Sequence, residues 1–196
     1  ILTLSGTNTY TGLTTINTGV INIQNGSALG NSSMTTVADG AALQLQGGIT
    51  VGALPLTLKG LGVSSAGALR NISGNNTWGG TITLVTSAAR INSDAGALTL
   101  SASNAINSPT NIGLTIGGSA NTLVSGSISI GSGILSKDSS GTLTLSGASN
   151  YTGATNITGG VVNIQNGSAL GNSSLTTVSN GATLQLQGGI SVGALP

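Results

Sequence analysis

Apolar and polar residues alternate along most of the chain. Pairs of Leu, Ile or Val separated by one polar residue recur from the first residues to the last. They are Leu2/Leu4, Ile21/Ile23, Leu43/Leu45, Leu56/Leu58, Ile82/Leu84, Leu98/Leu100, Leu114/Ile116, Ile128/Ile130, Leu143/Leu145, Val162/Ile164 and Leu184/Leu186. A period of two is typical of strands with one buried face, because successive side chains point to opposite sides of a sheet. The pattern therefore predicts many short strands with an apolar inner face and a polar outer face.

A long internal repeat organises these strands. Residues 1–55 align with residues 142–196 without a gap, and 41 of the 55 positions are identical. The run from Gln24 to Ser33 recurs unchanged from Gln165 to Ser174. We therefore predict a repeat module at 1–141 and the start of its next copy at 142–196, wound as one continuous solenoid.

Within the repeated segments, the apolar pairs follow one another at a nearly constant step. They begin at Leu2, Ile21 and Leu43, and at the equivalent positions of the second copy. The step is about 20 residues, which is the length of one coil of a parallel β-solenoid. The module at 1–141 then corresponds to roughly six or seven coils. Between residues 56 and 141 the spacing is irregular, and the sequence leaves open whether two pairs there share one coil.

Turns are marked by glycine. Asn25-Gly26, Asp39-Gly40, Asn166-Gly167 and Asn180-Gly181 fall between the alternating runs. A positive φ is expected at these positions, because Gly and Asn adopt it at low cost. We also expect the turn Asn side chains to form internal hydrogen-bonded ladders.

Two other all-β folds fit this pattern less well. A β-sandwich places strands at steps of about 8–12 residues and joins them by antiparallel hairpins. An outer-membrane barrel needs aromatic girdles at both interfaces, whereas this chain has two Tyr, one Trp and no Phe. The spacing and the composition favour the solenoid.

Composition supports an all-β fold. Gly, Ser, Thr and Asn supply 106 of 196 residues, and these types favour turns and strands over helix interiors. The chain has 51 Leu, Ile and Val residues and a net charge of +1, whereas disordered chains combine few such residues with a large net charge. The four basic residues lie far apart, so we expect no binding to nucleic acid or to anionic lipid. No stretch approaches the roughly 18 uninterrupted apolar residues of a spanning helix, so we expect no membrane insertion of this segment.

Few residues could carry out chemistry, since the chain has no His, Cys or Glu. Asp39, Asp94 and Asp138 are far apart in sequence, so we expect solvated turn residues rather than the paired carboxylates of a glycosidase. A Ser–Lys nucleophile would need Lys59 or Lys137, but Ser is too common here to identify one. We therefore expect no enzymatic activity, no catalytic residues, no cofactor and no metal site.

Two binding roles can be considered from the residue types. The rings that could stack on sugars are those of Tyr10, Trp78 and Tyr151. For all three, we favour a packing role at a coil cap or a corner over sugar contact. Thr-x-Thr pairs such as Thr81/Thr83 would suit an ice-binding face, but the outward positions of alternating strands explain them better.

Two stretches resemble the passenger-associated β-strand repeat of bacterial autotransporters. One runs from Leu2 to Gly12 (LTLSGTNTYTG) and the other from Gly141 to Gly153 (GTLTLSGASNYTG). Each continues through a Thr-rich strand to the sequence Asn-Gly-Ser-Ala-Leu-Gly, and the second departs from the first at Ser149-Asn150. A weaker likeness at residues 67–78 is to sequence found between such repeats in very large passengers.

The resemblance implies a right-handed parallel β-helix, exported across the outer membrane through a C-terminal barrel and exposed at the bacterial cell surface. It also implies a role in transport and folding of the passenger, in proteins that are often adhesins or surface fibres. We therefore expect a fragment of an extracellular structural or adhesive fibre. Its expected partners are further copies of the repeat end to end, lateral copies of itself, and a cell surface or polysaccharide. The alternatives are a passive stalk for a distal domain and a β-helix that binds or degrades polysaccharide.

Overall fold

A computed structural model of the chain describes residues 1–193, which form three parallel β-sheets and contain no α-helix. Sheet 1 consists of β1 (Leu2–Leu4), β3 (Val20–Ile23), β5 (Ala42–Gln46), β8 (Leu69–Ser73), β11 (Ala89–Ser93), β14 (Leu114–Gly117), β17 (Leu135–Lys137), β19 (Thr155–Ile157) and β21 (Thr176–Val178). Sheet 2 consists of β2 (Thr14–Ile16), β4 (Thr35–Val37), β7 (Leu56–Leu58), β10 (Ile82–Leu84), β13 (Asn104–Asn107) and β16 (Ser127–Ser129). Sheet 3 consists of β6 (Thr50–Val51), β9 (Asn75–Trp78), β12 (Ala97–Leu100), β15 (Asn121–Val124), β18 (Thr142–Leu145), β20 (Val161–Ile164) and β22 (Thr183–Leu186).

The chain winds through the sheets in a fixed order. From β8 to β17 it passes from sheet 1 to sheet 3, then to sheet 2, and back to sheet 1, so each coil has three strands. Every strand pair among the described residues is parallel. About eight coils result, and the predicted all-β parallel solenoid is confirmed. Its right-handed sense stays a prediction from the resemblance.

The strand register stacks like residues on like. In sheet 2, Val37 pairs with Leu58 and Leu58 with Leu84, and all three side chains are fully buried. Their polar neighbours Thr36, Thr57 and Thr83 pair in the same way and point outward. Burial stabilises each inward aliphatic side chain by about 1.5–3 kcal/mol, and the stacked rows together form the core.

Coil length varies while the register is kept. Leu2 pairs with Ile21 in one coil and Leu43 pairs with Leu69 in another, so the second of these coils contains several more residues than the first. The longer coil includes a short 3₁₀ helix at Val63–Ser65. The extra residues therefore bulge at a corner. The irregular spacing in the middle of the chain arises mainly because successive apolar pairs lie in different sheets, as Leu98/Leu100 do in β12 of sheet 3 and Leu114/Ile116 in β14 of sheet 1.

In each copy of the repeat, the first two coils lack a strand on one side. In the first copy, residues 5–13 and 24–34 occupy the side of sheet 3 without forming a strand. The two segments stack on each other, since the amide of Asn31 donates to the carbonyl of Tyr10 at 2.8 Å. In the second copy, the equivalent residues 146–154 and 165–175 lie on the side of sheet 2, where the amide of Asn150 donates to the carbonyl of Ile128 in β16.

The two copies therefore differ by a third of a turn. β1 and β3 lie in sheet 1, but their equivalents β18 and β20 lie in sheet 3. Likewise β2 and β4 lie in sheet 2, and their equivalents β19 and β21 lie in sheet 1. Six coils separate β1 from β17, and β18 follows one sheet further along the path. One repeat thus corresponds to six and one-third coils.

The predicted turn geometry is correct at two of the four positions. Gly40 and Gly181 have φ of 76° and 81°, as expected. Gly26 and Gly167 do not have positive φ. A Cβ on Gly26 would overlap the carbonyl of Thr50 in the next coil, and one on Gly167 would overlap Ser191. Glycine is needed there because coils approach closely, not because of the φ angle.

The solenoid continues through residues 141 and 142, where the sequence predicts the module boundary, and β18 pairs with β15 on one side and β20 on the other. That division stays a prediction. The last three residues of the predicted second copy, 194–196, lie outside the described residues. Within residues 1–193, no helix has the length and apolar character needed to cross a membrane.

Candidate functional site

The charged residues gather on one sheet. Every charged residue located in a described strand, namely Arg70, Arg90 and Lys137, belongs to sheet 1. Asp94 and Asp138 directly follow strands of the same sheet. The described strands of sheets 2 and 3 carry no charge, although Lys59 directly follows β7 of sheet 2, so most of the charge lies on the side of sheet 1.

These charges form a continuous polar network across several coils. Arg70 pairs with Asp94, which also accepts a hydrogen bond from Asn92. Arg90 donates to Asn92 Oδ1 at 3.0 Å and binds both carboxylate oxygens of Asp138, at 2.7 and 2.9 Å. Two of the three carboxylates thus face guanidinium groups rather than each other, in place of the solvated turn positions that were predicted.

Asp138 is stabilised as a carboxylate. Burial alone would raise its pKa, but hydrogen bonds from Arg90 and Ser139 and the charges of Arg90 and Lys137 outweigh burial, so its pKa lies below the usual value. A lowered carboxyl pKa stabilises the folded state at pH values above the unfolded pKa of about 4, and this contribution is lost as the pH falls through the folded pKa.

The Arg90–Asp138 pair fits because Gly117 has no side chain. Arg90 reaches over β14 to a residue two coils away, and a Cβ on Gly117 would overlap both Asp138 Oδ1 and the Arg90 guanidinium. We expect Gly117→Ala to separate the pair and to lower the free energy of unfolding by about 1–2 kcal/mol at pH 7. Urea unfolding at several pH values measures this, and the difference from the parent chain should shrink below about pH 4. Asp138→Asn is the control background: if Gly117→Ala costs as much there, the effect does not come from this pair.

Lys137 occupies an inward position of sheet 1. It pairs with Ile116 and Ile157 in an aliphatic row and is almost completely buried. Its ammonium donates to the carbonyls of Asp138, Ser139 and Gly159, the last two at 3.0 and 3.3 Å. Burial lowers the pKa of Lys137, with a smaller contribution from Arg90, although Asp138 opposes the shift. The ammonium therefore binds backbone carbonyls at the corner that follows β17.

Lys59, the other lysine considered as a nucleophile, follows β7 and is half-buried.

The three aromatic rings differ in accessibility. Trp78 is fully buried in sheet 3, where it pairs with Val51 and Leu100. The predicted corner position is therefore wrong for Trp78, which belongs to the core. Tyr151 is also fully buried, whereas Tyr10 is 40% exposed. Of the rings considered for sugar stacking, only Tyr10 has an accessible face in the described chain.

Tyr151 belongs to a hydroxyl network that sequence reasoning missed. Its Oη lies 2.7 Å from Thr155 Oγ1, which lies 3.1 Å from Ser173 Oγ, and Ser173 donates to the carbonyl of Gly153 at 3.1 Å. Burial raises the pKa of Tyr151 to about 12, although the bond to Thr155 opposes the shift. The first copy has the equivalent contacts: Tyr10 Oη is hydrogen-bonded to Thr14 Oγ1, and Thr14 Oγ1 donates to Ser32 Oγ. The Tyr-x₃-Thr spacing, present in both copies, was the available signal.

Amide side chains stack on the outer faces of the repeated strands. In sheet 1, Gln24 donates to Asn22 and Gln46, each at 3.1 Å. In sheet 3, Gln165 and Asn163 both donate to Gln187, at 3.0 and 3.1 Å. The turn residues Asn25 and Asn166 instead accept the amides of Ser27 and Ser168 within their own turns. Amide ladders therefore exist on the strands, and the prediction that turn Asn residues form them is wrong.

An uninterrupted hydroxyl and amide row follows sheet 2. The strand pairing places its members next to one another on successive coils: Thr15, Thr36, Thr57, Thr83, Asn107 and Ser129. The corresponding row of sheet 3 is interrupted by Leu123, between Thr99 and Thr144. We call the row on sheet 2 the hydroxyl row.

A depression of about 310 Å³ lies between two coils of the first copy and is lined mainly by small residues and backbone, including Gly26, Gly30, Ser32 and Leu54. Asp39 lies in a turn against Gly60, and no hydrogen bond or ion pair joins its side chain to Arg70 or Arg90 among the described residues. Within residues 1–193, no group of three or more His, Cys, Asp or Glu residues could hold a metal ion.

The architecture is that of a parallel β-solenoid in which a coil side without a strand occurs in both copies of the repeat. Residues 1–23 and 135–164 match the passenger-associated-transport-repeat family. Two segments of the chain are therefore similar to this repeat, and the predicted resemblance is confirmed. The family belongs to the passenger domains of autotransporters, which are exported to the cell surface. No curated protein and no solved structure matches the chain.

Proposed function

We propose that this segment is a non-catalytic structural and adhesive fibre of a bacterial cell surface, built by coils that continue at both ends. The observation that carries the proposal is the exposure of core positions at both ends of the stack. Leu2 is 55% exposed, although the equivalent Leu143 is fully buried. Leu186 is 59% exposed, although the equivalent Leu45 is fully buried. Each exposed residue continues an inward row, so a further coil at each end would bury it.

The lateral surface supports the adhesive part of the proposal. The hydroxyl row offers donors and acceptors on six successive coils, about 4.8 Å apart, without charge. Uncharged rods approach each other without electrostatic repulsion, and many weak contacts along a rod add up through multivalency. We place the adhesive surface on sheet 2, because sheet 1 is charged and the row of sheet 3 is interrupted.

Particle clumping tests this function. Beads coated with the chain should clump, and Thr36→Lys/Thr83→Lys should reduce the clumping at least tenfold, because lysines on a sheet discourage lateral contact. Thr99→Lys/Thr144→Lys on sheet 3 is the matched control, with the same substitutions at the same two-coil spacing, and should clump like the parent. Circular dichroism checks that both variants fold.

The passive stalk predicts a different result. If beads carrying the parent chain stay dispersed, this segment is not adhesive, and a distal domain must supply any binding. If both lysine variants lose clumping equally, the hydroxyl row is not the adhesive surface.

A further inference from the structure

Three Asn-Gly dipeptides lie in turns of the solenoid, and the fold holds them in two different ways. They are Asn25-Gly26, Asn166-Gly167 and Asn180-Gly181. Asn is among the thermolabile residues of proteins, and a glycine after it leaves the next backbone nitrogen unshielded by a Cβ. Since all three dipeptides contain the same reacting groups, their surroundings in the fold decide which of them reacts.

Two of the dipeptides are fixed by hydrogen bonds and packing. Asn25 Oδ1 accepts the amide of Ser27 at 2.8 Å, and Asn166 Oδ1 accepts the amide of Ser168 at 2.9 Å. The backbone carbonyl of each Asn also accepts the amide three residues further on, at 3.0 Å. The glycine after each Asn packs against backbone of the next coil. Both side chains are therefore held in one orientation.

The third dipeptide, Asn180-Gly181, is exposed and much less constrained. It forms the centre of the turn between β21 and β22, which is closed by a hydrogen bond from the amide of Ala182 to the carbonyl of Ser179 at 3.0 Å. Within residues 1–193, the Asn180 side chain forms no hydrogen bond and the Gly181 amide donates to no backbone carbonyl. No atom lies within 4 Å of a Cβ built on Gly181. The side chain of Asn180 can therefore turn towards the next backbone nitrogen.

The exposure of this turn does not depend on its position in the stack. Asp39-Gly40 is the equivalent turn between inner coils, and it has the equivalent hydrogen bond, from the amide of Ala41 to the carbonyl of Ala38 at 3.0 Å. Asp39 and Gly40 are both exposed, although Gly60 of the next coil lies against the Asp39 side chain. The first copy also shows that the fold accepts a carboxylate at this position.

We propose that Asn180 is a site of spontaneous deamidation. The backbone nitrogen of Gly181 attacks Cγ of Asn180, and the proton of that nitrogen leaves with the side-chain NH₂ group as ammonia. The product is a five-membered succinimide ring. Water then opens the ring at either carbonyl and leaves aspartate or isoaspartate at position 180. The reaction needs no reagent other than water, and it converts a neutral turn into a negatively charged one, as in the first copy.

Peptide mass spectrometry compares the three sites within one molecule. After incubation of the folded chain at mildly alkaline pH, Asn180 should have lost its amide about tenfold or more faster than Asn25 and Asn166, because hydrogen bonds must break before those two side chains can react. Isoaspartate should appear among the products at position 180, since direct hydrolysis of the side chain gives only aspartate. If Asn180 reacts no faster than the other two, or gives no isoaspartate, the proposal is wrong.

The same incubation in urea that unfolds the chain is the matched control. Without the fold, the three Asn-Gly dipeptides should lose their amides at similar rates, because the hydrogen bonds of Asn25 and Asn166 are gone. If Asn180 stays faster by the same factor in urea, neighbouring sequence and not the fold selects the site, which also overturns the proposal. Neither incubation depends on clumping, so the result is separate from the test of the fibre function.

Discussion

Replacing Leu84 by Asn should lower the free energy of unfolding by about 4 kcal/mol or more. Leu84 is fully buried in sheet 2 and pairs with Leu58 in the coil before it. The substitution removes apolar contacts throughout the site. It also places an amide in a mostly aliphatic row, where the nearby Ser108 hydroxyl already donates to the Leu84 carbonyl and accepts the amide of Ile112. Loss of a buried Leu costs about 2–5 kcal/mol, and an unsatisfied polar group costs about 1–3 kcal/mol more.

Thr83→Asn is the matched control for this prediction. Thr83 is the adjacent residue in the same strand, pairs with Thr57, and points outward. The same introduced side chain should cost about 1 kcal/mol or less there, since strand propensities span about that range. Urea unfolding followed by circular dichroism compares the two variants. Equal losses would mean that Leu84 does not point into the core, and the assignment of inner and outer faces would be wrong.

Gly118→Ala should have the second largest effect, a loss of about 3 kcal/mol or more. Gly118 has a φ of 102°, and a Cβ there would overlap the carbonyl oxygen of Ser93 in the preceding coil. That carbonyl accepts the amide of Ala120 at 2.9 Å, so the coils cannot separate without breaking a hydrogen bond. Backbone strain costs about 1–3 kcal/mol, and displacement of the neighbouring coil adds to it.

Gly40→Ala separates the two causes. Gly40 also has a positive φ, 76°, but nothing lies within 4 Å of a Cβ built there. Only the strain remains, so its cost should be about 1 kcal/mol. Thermal unfolding of both variants measures the difference. If Gly118→Ala is no worse than Gly40→Ala, the coils are not packed at the distance that the structure gives.

The alternating pattern predicts the fold because the inward rows are mostly aliphatic. The pattern fails to predict a strand where an inward residue is polar. In β9 the inward residues are Asn76 and Trp78, which do not form an aliphatic pair. Asn76 is buried because its Oδ1 accepts the amide of Ile49 at 2.7 Å and its amide donates to the carbonyl of Ser73. Hydrogen bonds to neighbouring backbone thus allow a strand without the apolar signature.

The charged network could not be predicted from spacing. Arg90 and Asp138 meet only because the register of sheet 1 pairs Arg90 with Thr115 and Thr115 with Ser136 on successive coils. The number of residues in each corner determines which side chains lie next to each other on successive coils. The alternating sequence pattern does not show how long each corner is. Lys137 shows the same limitation, since an ammonium in an aliphatic row is tolerated only where backbone carbonyls at a corner reach it.

The parallel stacking of coils has a mechanical consequence. Strands run across the axis of the rod, so the hydrogen bonds that join successive coils lie along it, and a pulling force loads one end coil at a time. A coil of about 21 residues occupies about 4.8 Å of the axis when folded but about 70 Å when drawn out. A tethered rod would therefore lengthen in steps of one coil and dissipate load at each step, while the remaining coils stay intact.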